Sequence, residues 1–144
     1  MKIKTNELTG VALDRAVAKC EGHFRTDGGA YLAHQGRVFQ PSTDWAVGGP
    51  IIERENITLV RCDDDYKTDA KGFTTNERIP VWAAEHGTQH SSQTTYGPQG
   101  DNWGDAYAID EADCIYGPTP LIAAMRCYVA SKLGDEVNIP EELC

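Results

Sequence analysis

The sequence has 144 residues, of which 40% are hydrophobic and 24% are charged, and it fits one globular domain over residues 1–144. Its 22 acidic and 13 basic residues give a formal net charge of −9. This balance argues against general nucleic-acid binding, because the phosphate backbone attracts a basic surface. The apolar stretches are short and the first residues lack the apolar core of a signal peptide, so we expect no membrane span and a cytoplasmic protein.

The first predicted helix covers residues 8–21, where apolar residues recur at close to the helical period. Thr9 is its predicted cap, and Gly22 is a fitting end. A short hairpin is predicted over residues 30–40, where apolar residues flank the turn at Gln35–Gly36.

A second group of elements follows Pro41. Ser42, Thr43 and Asp44 are all good helix caps, so we predict a short turn that starts at Trp45 and ends at Gly48–Gly49. Pro50 then suits the first position of another short helix over residues 51–55. Residues 57–62 are rich in β-branched side chains and are predicted to form a strand.

The middle region, residues 63–113, is polar and rich in turn-forming residues, so we predict long surface loops there. Residues 79–84, which carry Trp82, are predicted to form a strand within this region. A further short strand is predicted around residues 107–109.

The last helix is the clearest element of the sequence. Thr119 is its predicted cap, Pro120 takes the first helical position, and Gly134 ends a helix over residues 121–133. The predicted fold is α+β, with a small, mostly antiparallel sheet packed by the N-terminal and C-terminal helices. Met125, Tyr128 and the Ala123–Ala124 pair give the last helix apolar surface on more than one side, so we expect a homo-oligomer through this helix.

Three stretches carry a family resemblance: "MKIKTNELTGVALDRAVAKCEG", "PSTDWAVGGPIIERENITLV" and "YGPTPLIAAMRCYVASKLGDEVNIPEEL". They resemble the NinX-like small phage proteins, a domain of unknown function. The resemblance is strongest at residues 1–22, 41–60 and 116–143, whereas the middle region is longer and more polar than is typical of the family. It implies a phage accessory protein in the cytosol of a bacterial host. Small phage proteins often counter host defence, and some do so by sequestering nucleotide signals. A similar role for this protein is inferred by analogy with those unrelated phage proteins.

Two Gly-Pro sequences, "WAVGGPII" and "YGPTPLI", are predicted to be helix entries that line one pocket. Glycine lets the backbone approach a ligand, and the free N–H groups of a helix N-terminus attract anions. Trp45 and Tyr116 are the predicted walls, on which a base would stack, and Arg126 would contact a phosphate. The candidate ligand-binding residues are Asp44, Trp45, Gly48, Gly49, Trp82, Tyr116, Gly117, Thr119 and Arg126.

Each of these features also has a structural interpretation. The glycines and prolines serve equally well as rigid helix boundaries, Trp45 as a core residue, and Arg126 as a salt-bridge partner. Loop aromatics such as Tyr96 and Trp103 suit either ligand stacking or local packing.

Catalytic and metal-binding patterns are weak. His86 and His90 are four residues apart, but they lie in a segment that does not favour a helix, and further zinc ligands are missing. The Asp63–Asp64–Asp65 run lacks the glycine and the terminal glutamate of a calcium loop. We therefore predict no cofactor, no metal and no catalytic residue.

The leading hypothesis is a binding protein that sequesters a small anionic nucleotide-type signal of host defence, either NAD-derived or a cyclic nucleotide. Such a site needs no catalytic base, although the net charge of −9 slows the approach of an anion. One alternative is an enzyme that cleaves this signal. The other is an acidic protein-interaction inhibitor of a host factor, which the scattered placement of the acidic residues favours less.

Overall fold

The computed structural model describes residues 1–22, 38–86, 91–96, 102–107 and 114–140, with the backbone alone described for 91–96 and 102–107. The helices are α1 (Gly10–Cys20), α2 (Trp45–Arg54) and α3 (Pro120–Leu133), and a 3-10 turn at Thr5–Glu7 precedes α1. The strands are β1 (Lys2–Lys4), β2 (Ile57–Arg61), β3 (Asp65–Thr68), β4 (Thr74–Ile79), β5 (Trp82–His86), β6 (Ser91–Tyr96), β7 (Asn102–Tyr107), β8 (Ile115–Gly117) and β9 (Glu136–Asn138).

Helix α3 lies at the centre of the fold. It contacts β2, β5 and β8 on one side and α1 and α2 on others, so its buried residues surround the helix instead of forming one stripe. Thr119 Oγ1 accepts a hydrogen bond from the Ile122 amide at 3.1 Å, and Gly134 follows the helix with a φ of 87°, as predicted. The element that begins at Pro120 and ends at Leu133 was therefore predicted correctly.

The burial of α3 removes the basis for the predicted subunit contact. Met125, Ala123 and Ala124 are fully buried, and Tyr128 is 2% exposed, all within a single chain. The apolar surface that the sequence assigned to a second copy is covered by α1, α2 and the sheet. A homo-oligomer remains a prediction, but it requires a different surface.

The central sheet has the order β2-β5-β8 with antiparallel pairing. Leu59, Ala84 and Ile115 lie side by side in its register and pack against the core beneath α3. The other strands form separate two-stranded sheets, β1-β9, β3-β4 and β6-β7. The predicted α+β class with antiparallel strands and packed terminal helices is confirmed, although the strands are divided among several sheets.

The first and last described strands join the two ends of the chain. Ile3 of β1 pairs with Val137 of β9, and Val137 is buried in the core. Thr5 extends this contact, because its amide donates to the Asp135 carbonyl at 2.8 Å and its hydroxyl to the Gly134 carbonyl at 2.6 Å.

Helix α1 is shorter than predicted and its buried face differs by one position. It begins at Gly10, with Thr9 at the cap position but without a side-chain capping hydrogen bond. Val11, which the apolar pattern assigned to the buried stripe, is exposed, whereas Ala18 is buried. The central part of the stripe, with Leu13 and Val17 fully buried, agrees with the prediction.

The prediction of long loops in the middle region is wrong for much of it. Residues 65–79 form the β3-β4 hairpin and residues 91–107 contribute the β6-β7 pair. Polar residues form strands here because two paired strands satisfy each other's backbone N–H and C=O groups, and this pairing does not require an apolar face. The strand predicted over 79–84 is divided at Pro80 and Val81, since β4 ends at Ile79 and β5 begins at Trp82.

Two predicted elements lie outside the described residues. The hairpin over residues 30–40 falls largely within the segment 23–37, and the strand around 107–109 extends beyond Tyr107, where β7 ends.

Candidate functional site

The first Gly-Pro sequence is not a helix entry. Gly48, Gly49 and Pro50 lie inside α2, which runs without a break from Trp45 to Arg54. Pro50 is tolerated there because Gly49 has no Cβ to clash with the proline ring. The proline lacks the N–H that would donate to the Ala46 carbonyl, but Ala46 and Pro50 are both exposed, so water can replace this hydrogen bond. The predicted break at Gly48–Gly49 and the second helix starting at Pro50 are therefore wrong.

The start of α2 serves the helix itself. The Asp44 side chain caps it by accepting from the Ala46 amide at 3.0 Å. Trp45 is 54% exposed, so it is not a core residue. A Cβ on Gly48 would lie 2.5 Å from the Pro41 carbonyl oxygen and 2.7 Å from Leu121 Cδ2, so this glycine permits close packing of α2 against α3.

Trp82 and Gly117 are neighbours in the sheet register, and both pack toward α3. Trp82 is partly buried, with the Arg61 guanidinium 5.7 Å from its ring centre. A Cβ on Gly117 would lie 2.6 Å from the Ala123 backbone nitrogen. Gly117 thus lets β8 approach the first turn of α3. The space where its Cβ would lie is filled by the backbone of Ala123 and not by a ligand.

The N-terminus of α3 offers fewer donors than predicted, since the Ile122 amide already donates to Thr119 Oγ1. Arg126, one turn further, donates from Nε to the Leu8 carbonyl at 2.7 Å and from Nη1 to the Tyr116 carbonyl at 2.8 Å. Burial lowers the pKa of the guanidinium, and the charge of Glu7 opposes this shift. Arg126 therefore joins the start of α1 to β8 through two backbone carbonyls.

A cleft of about 770 Å³ lies beside this cross-link. Its lining comes from three parts of the fold: β8 with α3, a first wall of β1 with the Thr5–Glu7 turn and the start of β9, and a second wall at the base of the β3-β4 hairpin. The lining residues are Lys4, Thr5, Asn6, Asp65, Ile79, Pro80, Val81, Cys114, Ile115, Tyr116, Gly117, Pro118, Arg126, Ala130, Asp135 and Glu136.

Three of the nine predicted ligand-binding residues line this cleft: Tyr116, Gly117 and Arg126. Tyr116 is 43% exposed, and its aromatic ring is the largest in the lining. The other six, Asp44, Trp45, Gly48, Gly49, Trp82 and Thr119, are not among the lining residues. This cleft thus contains one of the two Gly-Pro sequences, and a pocket walled by both Trp45 and Tyr116 stays a prediction.

Sequence reasoning missed both walls of the cleft. Lys4 pairs with Glu136 in the β1-β9 register and the Thr5 amide donates to the Asp135 carbonyl, so these contacts join residues at least 130 positions apart. A short local pattern cannot indicate such a contact. Asp65, which the sequence indicated as part of a solvated acidic turn, lies at the opposite wall.

The charges of the cleft are mixed. Lys4 and Arg126 are the cations of its lining, and Asp65, Asp135 and Glu136 are the carboxylates. Lys4 stands directly opposite Glu136 in the β1-β9 register.

The described part of the chain holds no group of three or more metal-ligating His, Cys, Asp or Glu side chains. His86 is exposed at the end of β5, and its predicted companion His90 lies outside the described residues. The side chains of Tyr96 and Trp103 are likewise outside the description. None of the described helices is long and apolar enough to cross a bilayer.

Comparison with protein families gives a match to the model described as Bacteriophage P22, NinX, over residues 4–103. No curated protein matches the chain. The matched range includes most of the polar middle region, although the resemblance described above excluded that region. It ends before residues 116–143, where the resemblance included the last helix. It covers α1, α2 and the strands from β2 to β6, together with Lys4 and the Thr5–Glu7 turn at the cleft. The chain belongs to the NinX family of phage proteins.

Proposed function

We propose that this phage protein binds and sequesters a small nucleotide-type signal of a host defence system in the cleft beside Arg126. The observation that carries the proposal is the cleft itself, whose volume of about 770 Å³ lies within the range of small-molecule sites. Tyr116 and Arg126, two of the residues selected from the sequence, meet there.

The lining offers a partner for each part of a nucleotide. The exposed ring of Tyr116 and the apolar surface of Ile79 and Pro80 suit a base. Lys4 supplies a cation for a phosphate, and the carboxylates accept hydrogen bonds from ribose hydroxyls. Arg126 contributes mainly by holding the Tyr116 backbone in place, because two of its donors are engaged by carbonyls.

Sequestration requires affinity and no chemical step. A protein produced in quantity lowers the free concentration of a signal in proportion to the sites it supplies, once the dissociation constant is below that concentration. The net charge of −9 slows the approach of an anionic ligand, so a slow association rate that increases with ionic strength is expected.

Isothermal titration calorimetry of the full chain against a panel of NAD-derived and cyclic nucleotides tests this proposal. Tyr116→Ala should weaken binding, whereas Phe73→Ala should not, because Phe73 is an exposed aromatic residue of the β3-β4 segment outside the cleft. Folded protein that binds no member of the panel would contradict the proposal. Mass spectrometry of the recovered ligand separates sequestration from the alternative, since an enzyme that cleaves the signal would not return it intact.

A further inference from the structure

Resting on the proposed function, we infer that the cleft selects a ribonucleotide with a single phosphate and a free 2′-hydroxyl over ligands with several phosphates. The inference comes from the balance of charge in the lining, which holds three carboxylates and two cations. A site for a polyanion requires the opposite balance.

The cations are less available than their number suggests. Arg126 donates from Nε and Nη1 to backbone carbonyls at 2.7 and 2.8 Å, so much of its hydrogen-bonding capacity is directed into the protein. Lys4 is exposed and makes no ion pair among the described residues, but Glu136 stands directly opposite it in the strand register. One lysine is therefore the main partner for one phosphate.

The carboxylates occupy both walls. Asp135 and Glu136 lie on the wall that the Thr5 hydrogen bonds hold in place, and Asp65 lies on the hairpin wall. All three are exposed carboxylates, so their oxygens are accessible to a ligand in the cleft. A carboxylate accepts a hydrogen bond from the ribose 2′-hydroxyl, and this bond is charge-assisted. The same carboxylate repels a second phosphate.

The test uses calorimetry with three ligands that share one base: adenosine monophosphate, its 2′-deoxy analogue and adenosine diphosphate. We expect the ribonucleotide monophosphate to bind at least about tenfold more tightly than the deoxy analogue, because each charge-assisted hydrogen bond is lost with its hydroxyl. The diphosphate should bind no more tightly than the monophosphate.

Three variants locate the effect: Asp65→Asn, Asp135→Asn and Glu136→Gln. At least one of them should reduce the preference for ribose and raise the relative affinity of the diphosphate. Glu77→Gln is the matched control, because Glu77 pairs with Lys67 on the exposed hairpin outside the cleft lining. Since all of these carboxylates are exposed, the substitutions should leave the fold intact.

Affinity that increases with each phosphate, equal binding of the deoxy analogue, or ratios unchanged in all three variants would overturn this inference and leave the proposed function standing. Absence of binding by all three ligands and by the wider nucleotide panel would overturn the proposed function, and this inference with it.

Discussion

Two adjacent glycines in α2 should respond to alanine in different ways. A Cβ on Gly48 would lie 2.5 Å from the Pro41 carbonyl oxygen and 2.7 Å from Leu121 Cδ2. The carbonyl belongs to the backbone of the segment that precedes α2, so relief requires a shift of that segment relative to α2, whereas the Leu121 side chain of α3 can move. A Cβ on Gly49 would meet nothing within 4 Å beyond its chain neighbours.

The expected magnitudes follow from opposing contributions. Overpacking costs about 1–3 kcal/mol, and alanine regains about 1 kcal/mol of helix propensity over glycine. Because one clash at Gly48 is with backbone at 2.5 Å, its cost should lie in the upper part of this range, at about 2–3 kcal/mol. Gly48→Ala should therefore lower the free energy of unfolding by about 1–2 kcal/mol, or the melting temperature by about 3–6 °C for a chain of this size. At Gly49 the same propensity gain is offset by the clash of a new Cβ with Pro50, so the change should stay within about 0.5 kcal/mol.

Urea denaturation followed by circular dichroism measures both variants against the parent chain. The midpoint for Gly48→Ala should fall without a change in the slope of the transition, which would show that native stability has changed. If Gly48→Ala proves as stable as the parent, or if Gly49→Ala is the more destabilised variant, the close packing of Gly48 against Pro41 and Leu121 would be refuted.

Three further outcomes are expected. Thr119→Ala should cost about 1 kcal/mol in urea denaturation, whereas Thr9→Ala should cost less, since Thr9 makes no capping hydrogen bond; equal losses would contradict this difference. Burial raises the pKa of Tyr128 from 10.0 to about 12 and that of Cys127 from 9.0 to about 12, so the native state retains protons that the unfolded chain releases. The free energy of unfolding should therefore be constant below about pH 9 and decline toward about pH 12. In Tyr128→Phe the decline above about pH 10 should be less steep. An unfolding free energy that stays constant from about pH 9 to about pH 12 would rule out these pKa shifts. Arg126→Lys should destabilise the fold by about 2 kcal/mol, because a lysine ammonium cannot reach the Leu8 and Tyr116 carbonyls together as the guanidinium does. An unchanged melting temperature would show that these two hydrogen bonds contribute little to stability.

Helix α3 shows what local sequence determines. Its boundaries depend on Thr119, Pro120 and Gly134, and each acts within one turn through capping, a fixed φ or a positive φ. These signals operate over a few residues, so reading the sequence is enough to find them. Tertiary contacts then decide which faces are buried, and in α3 they come from α1, α2 and the central sheet.

The same local signals misled at Gly48, Gly49 and Pro50. Glycine and proline usually end helices, but here the small size of Gly48 permits packing on Leu121, and Gly49 removes the clash that normally precedes a proline. Only the position of α3, more than 70 residues later in the chain, makes this arrangement favourable. The cleft is a similar case, since Lys4 and Glu136 face one another through strand pairing that no local pattern predicts.

The pairing of β1 with β9 has a consequence for the order in which the protein forms during synthesis. The Met1 ammonium donates to the Ile139 carbonyl at 3.1 Å, and the Ile139 amide donates to the Met1 carbonyl at 2.9 Å. β1 precedes its partner β9 by more than 130 residues, so β1 leaves the ribosome well before β9. Closing so long a loop is a late event, so a nascent chain without β9 lacks the β1-β9 wall, and the cleft is complete only after β9 has emerged.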